Sequence, residues 1–409
     1  MDATAARFYT AGRGTCMDHY DILIVGAGIM GASAAWHLIR RDPAVRIAMV
    51  ERDPTFMFAA STATNSCLRQ QFTTEVNIRA SQYTADIIRD FRAHTGDAEA
   101  PEVALDPFGY LYLAADPAGA KALRQAHALQ SSLGAGTRLM DRDTLAATFP
   151  FIDTSDITLG SHGTRDEGYF DGHALWSYWR GAAKRAGVTE IHGEVVAVDR
   201  VLDEGRIRGV TLLDQTRIAC DWVVNAAGGR AGEFAKLAGE DLPVERRKRF
   251  TYVFEAERPL PAKLPLTIDP SGIHVRSDGA LYMAGAAPPD DVAVAADDFA
   301  DQPDLWEDRV WPALAARVPA FEAIRLRRSW VGHYDMNMFD RNAILGPGPN
   351  CPNLVHCAGF SGHGLQHAAA MGRGVSELIH SGRFETLDLS AFSPARLTGR
   401  AGSVEGAVI

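Results

Sequence analysis

Cysteine is scarce in this sequence, and its few copies are not arranged for a structural role. The 409 residues include five cysteines, and no two of them form a Cys-x-x-Cys pair. Because the number is odd and the spacing is wide, neither a disulfide framework nor a structural zinc site is expected. The pattern favours a reducing compartment, and we expect a cytoplasmic protein.

Long apolar runs and an excess of basic residues are lacking as well. No apolar stretch is long enough to span a bilayer. Residues 1–17 have no continuous apolar segment of the kind that a secretory signal needs, so we expect a flexible tail there. The net charge of −10 argues against a nucleic-acid partner, because phosphate binding needs clustered Lys and Arg. The length suits two domains, or one domain with a large insertion.

What the chain does contain is a strand, a glycine-rich turn and a helix near its start. Residues 22–25 form a short apolar run of strand type. Gly26, Gly28 and Gly31 follow as GxGxxG and open a helical pattern. A second apolar run ends at Glu51, about twenty residues beyond the last glycine.

Each part of this unit has a physical role in holding a dinucleotide. Gly26 permits a tight turn, Gly28 lets the backbone approach a pyrophosphate, and Gly31 lets the helix pack closely on the strand. The helix N-terminus attracts phosphate, and Glu51 can accept hydrogen bonds from a ribose diol. The unit therefore predicts a dinucleotide site, but it does not separate NAD from FAD.

A second glycine-rich stretch lies near the other end of the chain, in AGFSGHGLQHAAAMG at 358–372. It follows a short predicted strand and leads into a helix over about 365–379. His363 and His367 are four residues apart, which is a spacing that helical metal ligands use. No carboxylate or cysteine completes a ligand shell at a usual spacing, so we expect no metal and interpret the loop as a cofactor wall.

Several motifs taken together resemble a known family. These are GAGIMG, Glu51, LRQQF, VVNAAG and GFSGHGLQHAAAMGRGVSELI. The combination is similar to the FAD-dependent oxidoreductases of the D-amino-acid oxidase superfamily, and within it to the branch of sarcosine oxidase, glycine oxidase and dimethylglycine dehydrogenase. The resemblance covers about residues 18–385.

The resemblance implies an α/β fold with two discontinuous parts. One is a Rossmann-like FAD-binding domain, and the other is an α+β substrate domain built on a mixed sheet. We assign 18–90, 155–240 and 335–390 to the first, 91–154 and 241–334 to the second, and 391–409 to a weakly structured C-terminal tail.

The resemblance also implies which residues contact FAD, through the first turn, the middle turn and the C-terminal glycine loop. They are Gly26, Gly28, Ile29, Met30, Gly31, Glu51, Arg52, Ser61, Thr62, Val196, Ala226, Ala227, Gly228, Gly359, Phe360, Gly362, His363, Gly364, Leu365 and Gln366. Some relatives attach flavin through a cysteine, which Gly332 replaces here, or through an early histidine, which 58–72 lacks. We therefore expect non-covalent FAD.

Candidate substrate residues follow from the same resemblance. Tyr334 matches an aromatic residue that approaches the substrate, and Arg69 matches an arginine that pairs with a substrate carboxylate, for which its planar fork is suited. The family's second basic partner is replaced by Gln366, and Arg276 is a candidate to compensate. His363 or Tyr334 is a candidate to assist deprotonation of an incoming ammonium group.

The expected reaction is oxidation of the C–N bond of a small amino acid or N-substituted amino acid. Hydride goes to flavin N5, and the resulting imine is hydrolysed. The electron acceptor is either O2 or another molecule. Two alternatives stay open at this point: an FAD-dependent 2-hydroxy-acid dehydrogenase, and a non-catalytic FAD-binding assembly factor.

Overall fold

A computed structural model of the protein describes residues 18–201, 203–399 and 404–408. The expected flexible tail over residues 1–17 lies outside the described residues. Within them, no helix combines the length and the hydropathy that crossing a membrane requires.

The strands follow one another along the whole chain. In order they are β1 (Asp18–Val25), β2 (Ile47–Glu51), β3 (Cys67–Leu68), β4 (Leu105–Asp106), β5 (Tyr110–Ala114), β6 (Thr137–Met140), β7 (Leu159–Gly163), β8 (Gly168–Phe170), β9 (Thr189–His192), β10 (Val195–Val201), β11 (Arg206–Leu212), β12 (Arg217–Asn225), β13 (Val244–Ala256), β14 (Leu266–Ile268), β15 (His274–Asp278), β16 (Leu281–Ala286), β17 (Ile324–Asn337), β18 (Ile344–Gly348) and β19 (Cys351–Ala358).

The helices are fewer and alternate with the strands. They are α1 (Ile29–Arg41), α2 (Glu75–Arg89), α3 (Phe91–Thr95), α4 (Pro117–Ser132), α5 (Arg142–Thr148), α6 (Gly172–Arg185), α7 (Ala231–Leu237), α8 (Pro303–Leu305), α9 (Trp311–Arg317) and α10 (Gly364–Ser381). A π-helical turn, Trp306–Val310, joins α8 to α9.

The first sheet has a parallel centre, as the Rossmann-like prediction requires. Its strand order is β10-β11-β12-β1-β2-β9, and β19 pairs with both β12 and β18. Strand β1 runs parallel to β2 and β12, and β12 runs parallel to β19. Residues 22–24 of β1 are almost fully buried, which explains why this strand is a continuous apolar run without alternation. The two ends of the chain thus meet in one sheet.

Helices α1 and α10 pack against each other beside this sheet. Their contact is close because small residues face each other: the Ser33 hydroxyl donates to the Ala368 carbonyl at 2.7 Å. A Cβ at Gly372 would lie 2.1 Å from Ser33 Oγ. The small residues of 368–372 therefore serve helix packing.

The second sheet confirms the predicted mixed architecture. Its order is β17-β13-β16-β15-β14-β5-β7-β6, and β14 is parallel to β5 while it is antiparallel to β15. An aromatic core that includes Phe254, Tyr282 and Phe321 packs on it together with α8 and α9. A third, small sheet has the order β3-β8-β4.

The division into domains stays a prediction, and the sheets bear on two of its boundaries. Strand β7, which the sequence assigns to the FAD-binding part, pairs with β5 and β6 of the second sheet. Strand β17 pairs with β13 as far as Asn337, beyond the expected boundary at 334. Hydrogen bonding between distant strands sets these limits, and local sequence does not reveal it.

The expected weak structure beyond residue 390 is wrong for the described part of that segment. Arg396 donates to both carboxylate oxygens of Asp340, at 2.7 and 3.0 Å. Glu405 is fully buried and accepts hydrogen bonds from Thr73 N and Asn77 Nδ2, each at 2.9 Å. A buried carboxylate requires such donors, and here they come from the distant segment around α2.

Candidate active site

A cavity of about 560 Å³ lies between the first and second sheets. The residues assigned from sequence that line it are Gly26, Gly28, Ile29, Met30, Glu51, Arg52, Ser61, Arg69, Val196, Ala226, Ala227, Gly228, Tyr334, Phe360, Gly362, His363, Gly364, Leu365 and Gln366. Four others, Gly31, Thr62, Gly359 and Arg276, are not among its lining residues. The cavity therefore joins the first turn, the middle turn and the C-terminal loop.

The first turn depends on glycine at two positions. Gly26 has φ +101°, and a Cβ there would lie 2.4 Å from the Ala226 carbonyl oxygen. A Cβ at Gly31 would lie 1.9 Å from the Gly26 carbonyl oxygen. Gly31 therefore supports the turn from behind and does not face the cavity, which is the helix–strand packing role expected of this glycine.

Two side chains hold the turn and the start of α1 in place. The Glu51 carboxylate accepts hydrogen bonds from Ala27 N at 2.9 Å and Asp53 N at 3.0 Å. Ser61 Oγ accepts one from Ile29 N at 2.9 Å, at the helix end where amide donors otherwise lack partners. Thr62 was expected beside Ser61 in the site, but its hydroxyl donates to the Phe56 carbonyl at 2.7 Å and points away.

The C-terminal glycine loop is held by Asp335, which the sequence analysis did not identify. Its carboxylate accepts hydrogen bonds from Gly359 N at 2.8 Å and Phe360 N at 3.1 Å. Burial raises the pKa of Asp335 to about 6, although these amide donors act to lower it. Asp335 itself lines the cavity, whereas Gly359 does not. No motif marks Asp335, since its partners are bound through backbone atoms.

These features coincide with those of a known family. The DAO family, described as FAD dependent oxidoreductase, matches residues 21–378. The chain belongs to this family. FAD-dependent oxidoreductase domain-containing protein 1 of Xenopus laevis is 36% identical over 91% of this chain and 81% of its own length.

Further similarities extend across the family. Sarcosine oxidase subunit beta of Rhizobium meliloti is 26% identical over 89% of this chain and 85% of its own length. The crystal structure of L-proline dehydrogenase from P. horikoshii has a TM-score of 0.80 at 22% identity, covering 95% of this chain and 100% of that one. The chain is therefore an FAD-dependent oxidoreductase, and FAD is its cofactor.

The cavity has the size of a ligand site, and its backbone and glycine-rich lining fit FAD. Its volume lies within the range of about 300–1,000 Å³ that is usual for ligand sites. One end presents the backbone of Gly28 and the Ser61 hydroxyl, and the other end presents the loop 360–365. Gly332, the position of the covalent cysteine in some relatives, would place a Cβ 3.0 Å from Ala63 Cβ.

The guanidinium of Arg69 is bound within the protein, whereas its expected role is to bind a substrate carboxylate. Its two terminal nitrogens donate to the backbone carbonyls of Gln71 and Ala407, and its guanidinium carbon lies 3.8 Å from the Phe72 ring centroid. Gln366 holds the same segment, because its side-chain oxygen accepts a hydrogen bond from Arg69 N at 2.9 Å. Both residues line the cavity, but the fork of Arg69 is used within the protein.

His363 lies in the cavity wall and is 2% exposed. Among the described residues, neither of its ring nitrogens has a hydrogen-bond partner. Burial, followed by the charge of Arg69, lowers the pKa of His363 to about 3. A histidine of such low basicity is a poor acceptor for a proton from an ammonium group near neutral pH.

Arg276 is not part of the cavity wall, so its expected compensating role is not supported. It donates to Asp278 at 2.9 Å and to the Asn65 carbonyl at 3.1 Å. Its guanidinium therefore already has acceptors, which a buried arginine requires. Its neighbour His274 does line the cavity, and His274 Nε2 lies 2.8 Å from Asn65 Nδ2.

The aromatic end of the cavity contains an arginine that sequence reasoning missed. Tyr334 packs against Gly362, and the guanidinium carbon of Arg249 lies 4.7 Å from the Tyr334 ring centroid. Both residues line the cavity, as does His333, which precedes Tyr334 on the same strand. Arg249 comes from β13, about 85 residues before Tyr334, and only the pairing of β13 with β17 brings the two together.

The described residues contain one group of side chains whose ligand atoms are close together, and it lies away from the cavity. Within the described residues, one set of side chains has ligand atoms close enough to share an ion: His19, Asp21 and Asp221. His19 and Asp21 lie in the first half of β1, whereas the cavity begins at Val25 at the other end. The histidine pair of the C-terminal stretch has other contacts, since His367 Nε2 lies 3.1 Å from Ser81 Oγ.

Proposed function

We propose that this protein oxidises the C–N bond of a small amino acid or N-substituted amino acid. The observation that carries the proposal is the continuity of one cavity from the dinucleotide turn to Tyr334 and Arg249. An aromatic ring and a guanidinium at the far end suit a small amine that bears a carboxylate. The similarity to sarcosine oxidase subunit beta supports the same chemistry.

In this proposal the first turn and the loop 359–364 hold FAD without a covalent bond. The backbone at Gly28 and the N-terminus of α1 face the diphosphate, where amide groups and the helix dipole favour negative charge. Glu51 holds the ribose. The residues Phe360, Gly362, His363 and Leu365 form the wall beside the flavin ring.

When bound, FAD would supply the electron-accepting chemistry for the hydride that leaves the carbon beside the substrate nitrogen. The chain itself binds the substrate, orients that C–H bond and keeps bulk water out. Tyr334 fixes the substrate's position from the loop side. Because the nitrogen must have a free lone pair, the substrate binds as the neutral amine, and no strongly basic side chain is required.

The choice of electron acceptor is part of the proposal and has two outcomes, O2 or another molecule. Monomeric sarcosine oxidases belong to the branch that this chain resembles, and they use a lysine over the flavin to activate oxygen. Among the described residues that line the cavity there is no lysine. The resemblance to these oxidases places Tyr282 at the position of that lysine. Tyr282 is buried in the core of the second sheet, and its hydroxyl accepts a hydrogen bond from Leu260 N at 2.8 Å. This favours a dehydrogenase.

Anaerobic reduction of the purified holoprotein tests the proposal. N-methylglycine, glycine, L-proline and matched 2-hydroxy acids are added in turn, and the yellow flavin band is followed. Bleaching by amino acids and not by hydroxy acids is the expected result. Bleaching by hydroxy acids alone identifies a 2-hydroxy-acid dehydrogenase, and no bleaching by any of them favours a non-catalytic FAD-binding assembly factor.

A further inference from the structure

Arg249 lines the cavity and forms an ion pair with an aspartate from an irregular loop. Its two terminal nitrogens donate to the two carboxylate oxygens of Asp291, at 3.0 and 3.1 Å. This is the parallel, two-bond geometry in which a guanidinium binds a free carboxylate. The Arg249 side chain is 11% exposed, whereas that of Asp291 is 36% exposed. Arg249 lines the cavity, whereas Asp291 is not among the lining residues and contacts the guanidinium from its more exposed side.

Asp291 belongs to an irregular segment in which its side chain can move away from Arg249. Residues 287–302 form a stretch of 16 residues without helix or strand, and irregular loops longer than about 12–15 residues are uncommon inside a compact fold. We call it the acidic loop, because it has five aspartates and no Lys or Arg. Other contacts anchor it independently of Asp291, including Asp298 to Lys248 at 2.5 Å and Asp297 to Arg52 at 3.1 Å.

The position of Arg249 is that of a substrate ligand. Its guanidinium lies over the ring of Tyr334, and Tyr334 in turn packs on Gly362 in the loop expected to face the flavin. Its Nε is buried and has no hydrogen-bond partner among the described residues, so the two terminal nitrogens are the atoms through which Arg249 can bind a carboxylate. One terminal nitrogen of Arg249 also donates to the Lys248 carbonyl at 2.7 Å, whereas Arg69 uses both of its terminal nitrogens on backbone carbonyls.

We propose that Arg249 binds the carboxylate of the substrate and that Asp291 occupies the same position until the substrate displaces it. This inference rests on the proposed function for the identity of the substrate, a small amine with a free carboxylate. Asp291 is then an internal competitor. Removing its charge strengthens the binding of carboxylates, whereas removing the guanidinium abolishes the preference for them.

A binding experiment that needs no turnover tests the pair directly. Acetate is titrated into the FAD-loaded protein, and its Kd is measured by calorimetry and by the shift of the visible flavin band. Asp291→Asn is compared with Asp290→Asn, which removes the same charge from the same loop without touching Arg249. We expect Asp291→Asn to bind acetate roughly three- to tenfold more tightly than Asp290→Asn.

The arginine is tested in the background that lacks its internal partner. Arg249→Met combined with Asp291→Asn leaves no unpaired buried charge, and we expect it to weaken acetate binding by about 10- to 100-fold relative to Asp291→Asn alone. In the same Asp291→Asn background, Arg249→Lys keeps the charge but loses the planar pair of donors. Its acetate affinity should therefore lie between that of Asp291→Asn alone and that of the double variant with Arg249→Met. Equal acetate affinity in Asp291→Asn and Asp290→Asn overturns the proposal, and so does unchanged affinity on loss of Arg249 or no acetate binding in any variant.

A kinetic comparison separates this inference from the proposed function. N-methylglycine and dimethylamine differ by the carboxylate, and Arg249→Met in the Asp291→Asn background should raise KM for N-methylglycine by a larger factor than KM for dimethylamine. Acetate binding that depends on Arg249 in a protein whose flavin no amine reduces means that the carboxylate site stands and the C–N oxidation fails. Amine oxidation without any effect of Arg249 on carboxylates means the reverse.

Discussion

Gly362 and Tyr334 are in direct contact at the end of the cavity. A Cβ on Gly362 would lie 2.2 Å from Tyr334 Cε2 and 2.5 Å from Tyr334 Cζ, and the residue has φ +93°. The absence of a side chain at 362 is therefore what allows the tyrosine ring to lie against the glycine loop. The contact joins β17 of the second sheet to the start of α10, and so connects the expected substrate side to the expected flavin side.

Gly362→Ala should accordingly damage the site by two separate effects. The positive φ is strained for alanine, at about 1–2 kcal/mol, and the clash with Tyr334 adds about 1–3 kcal/mol of overpacking. Gly272→Ala is the matched control, because Gly272 has φ +82° and a Cβ there would meet nothing within 4 Å. The temperature of thermal unfolding and the FAD content should fall further for Gly362→Ala than for the control.

The double variant Gly362→Ala with Tyr334→Ala isolates the clash. It should recover the steric part of the loss and retain the strain of the backbone. If Gly362→Ala and Gly272→Ala lose the same stability and the same FAD, the tyrosine ring does not depend on this glycine and the connection is wrong.

Local spacing made the two ends of the site predictable. GxGxxG, Glu51 and the loop before α10 act through neighbouring backbone, so the residues that matter lie together in the sequence. Arg249, Asp291 and Asp335 were not predictable in this way. Their partners come from other strands and loops, and an arginine on a strand or an aspartate in a loop has no local pattern that distinguishes it from a solvated residue.

Replacement of Glu51 by glutamine should weaken FAD binding. The two Glu51 oxygens accept separate hydrogen bonds from Ala27 N and Asp53 N, and an amide offers only one acceptor oxygen. Loss of one charge-assisted bond at about 1.5–3 kcal/mol predicts roughly a 10- to 100-fold increase in Kd for FAD. Fluorescence titration of the apoprotein measures it. Glu204→Gln, at an exposed glutamate that pairs with Arg208, should bind FAD as the parent does.

FAD should be released completely when the protein is denatured in acid. Two cysteines line the cavity, Cys67 and Cys357, but burial raises the pKa of the Cys67 thiol to about 11 and also raises that of Cys357. A thiol held in its protonated form is a poor nucleophile. After precipitation the yellow colour should be found in the supernatant. Flavin that stays with the pellet would show a covalent bond, and peptide mapping would locate it.

Arg69→Met should act mainly on the C-terminal segment. Loss of the bond to Ala407 and of the packing on Phe72 predicts a decrease of about 1–3 kcal/mol in the free energy of unfolding. Amide exchange should increase at 404–408 and around Thr73. Glu405→Gln weakens a different contact of the same segment, the one with Thr73. It should therefore increase the exchange of the same amides. A large rise in KM for carboxylate substrates in Arg69→Met but not in Glu405→Gln would instead support Arg69 as their ligand.

Glu167 should make the protein less stable as the pH rises from about 4.5 to 7. It is 1% exposed, and burial raises its pKa to about 7, although the donors Gln71 Nε2 and Gln70 N act to lower it. The folded state therefore holds a proton that the unfolded chain releases above its usual pKa of 4.5, so folding takes up a proton within this range. The stabilisation is complete below pH 4.5 and is lost as the pH rises through 7.

Glu167→Gln should remove this dependence, because an amide does not titrate. The shift corresponds to roughly 3 kcal/mol, so the difference in the free energy of unfolding between Glu167→Gln and the parent should change by about that amount, in favour of the variant, between pH 4.5 and 7. Urea unfolding across this range measures it. Glu307→Gln, at an exposed glutamate of the π-helical turn, should keep the slope of the parent. The free energy of unfolding could instead change with pH by the same amount in Glu167→Gln and Glu307→Gln. Glu167 would then be ionised in the folded protein throughout, because Arg69 and the amide donors of Glu167 outweigh burial.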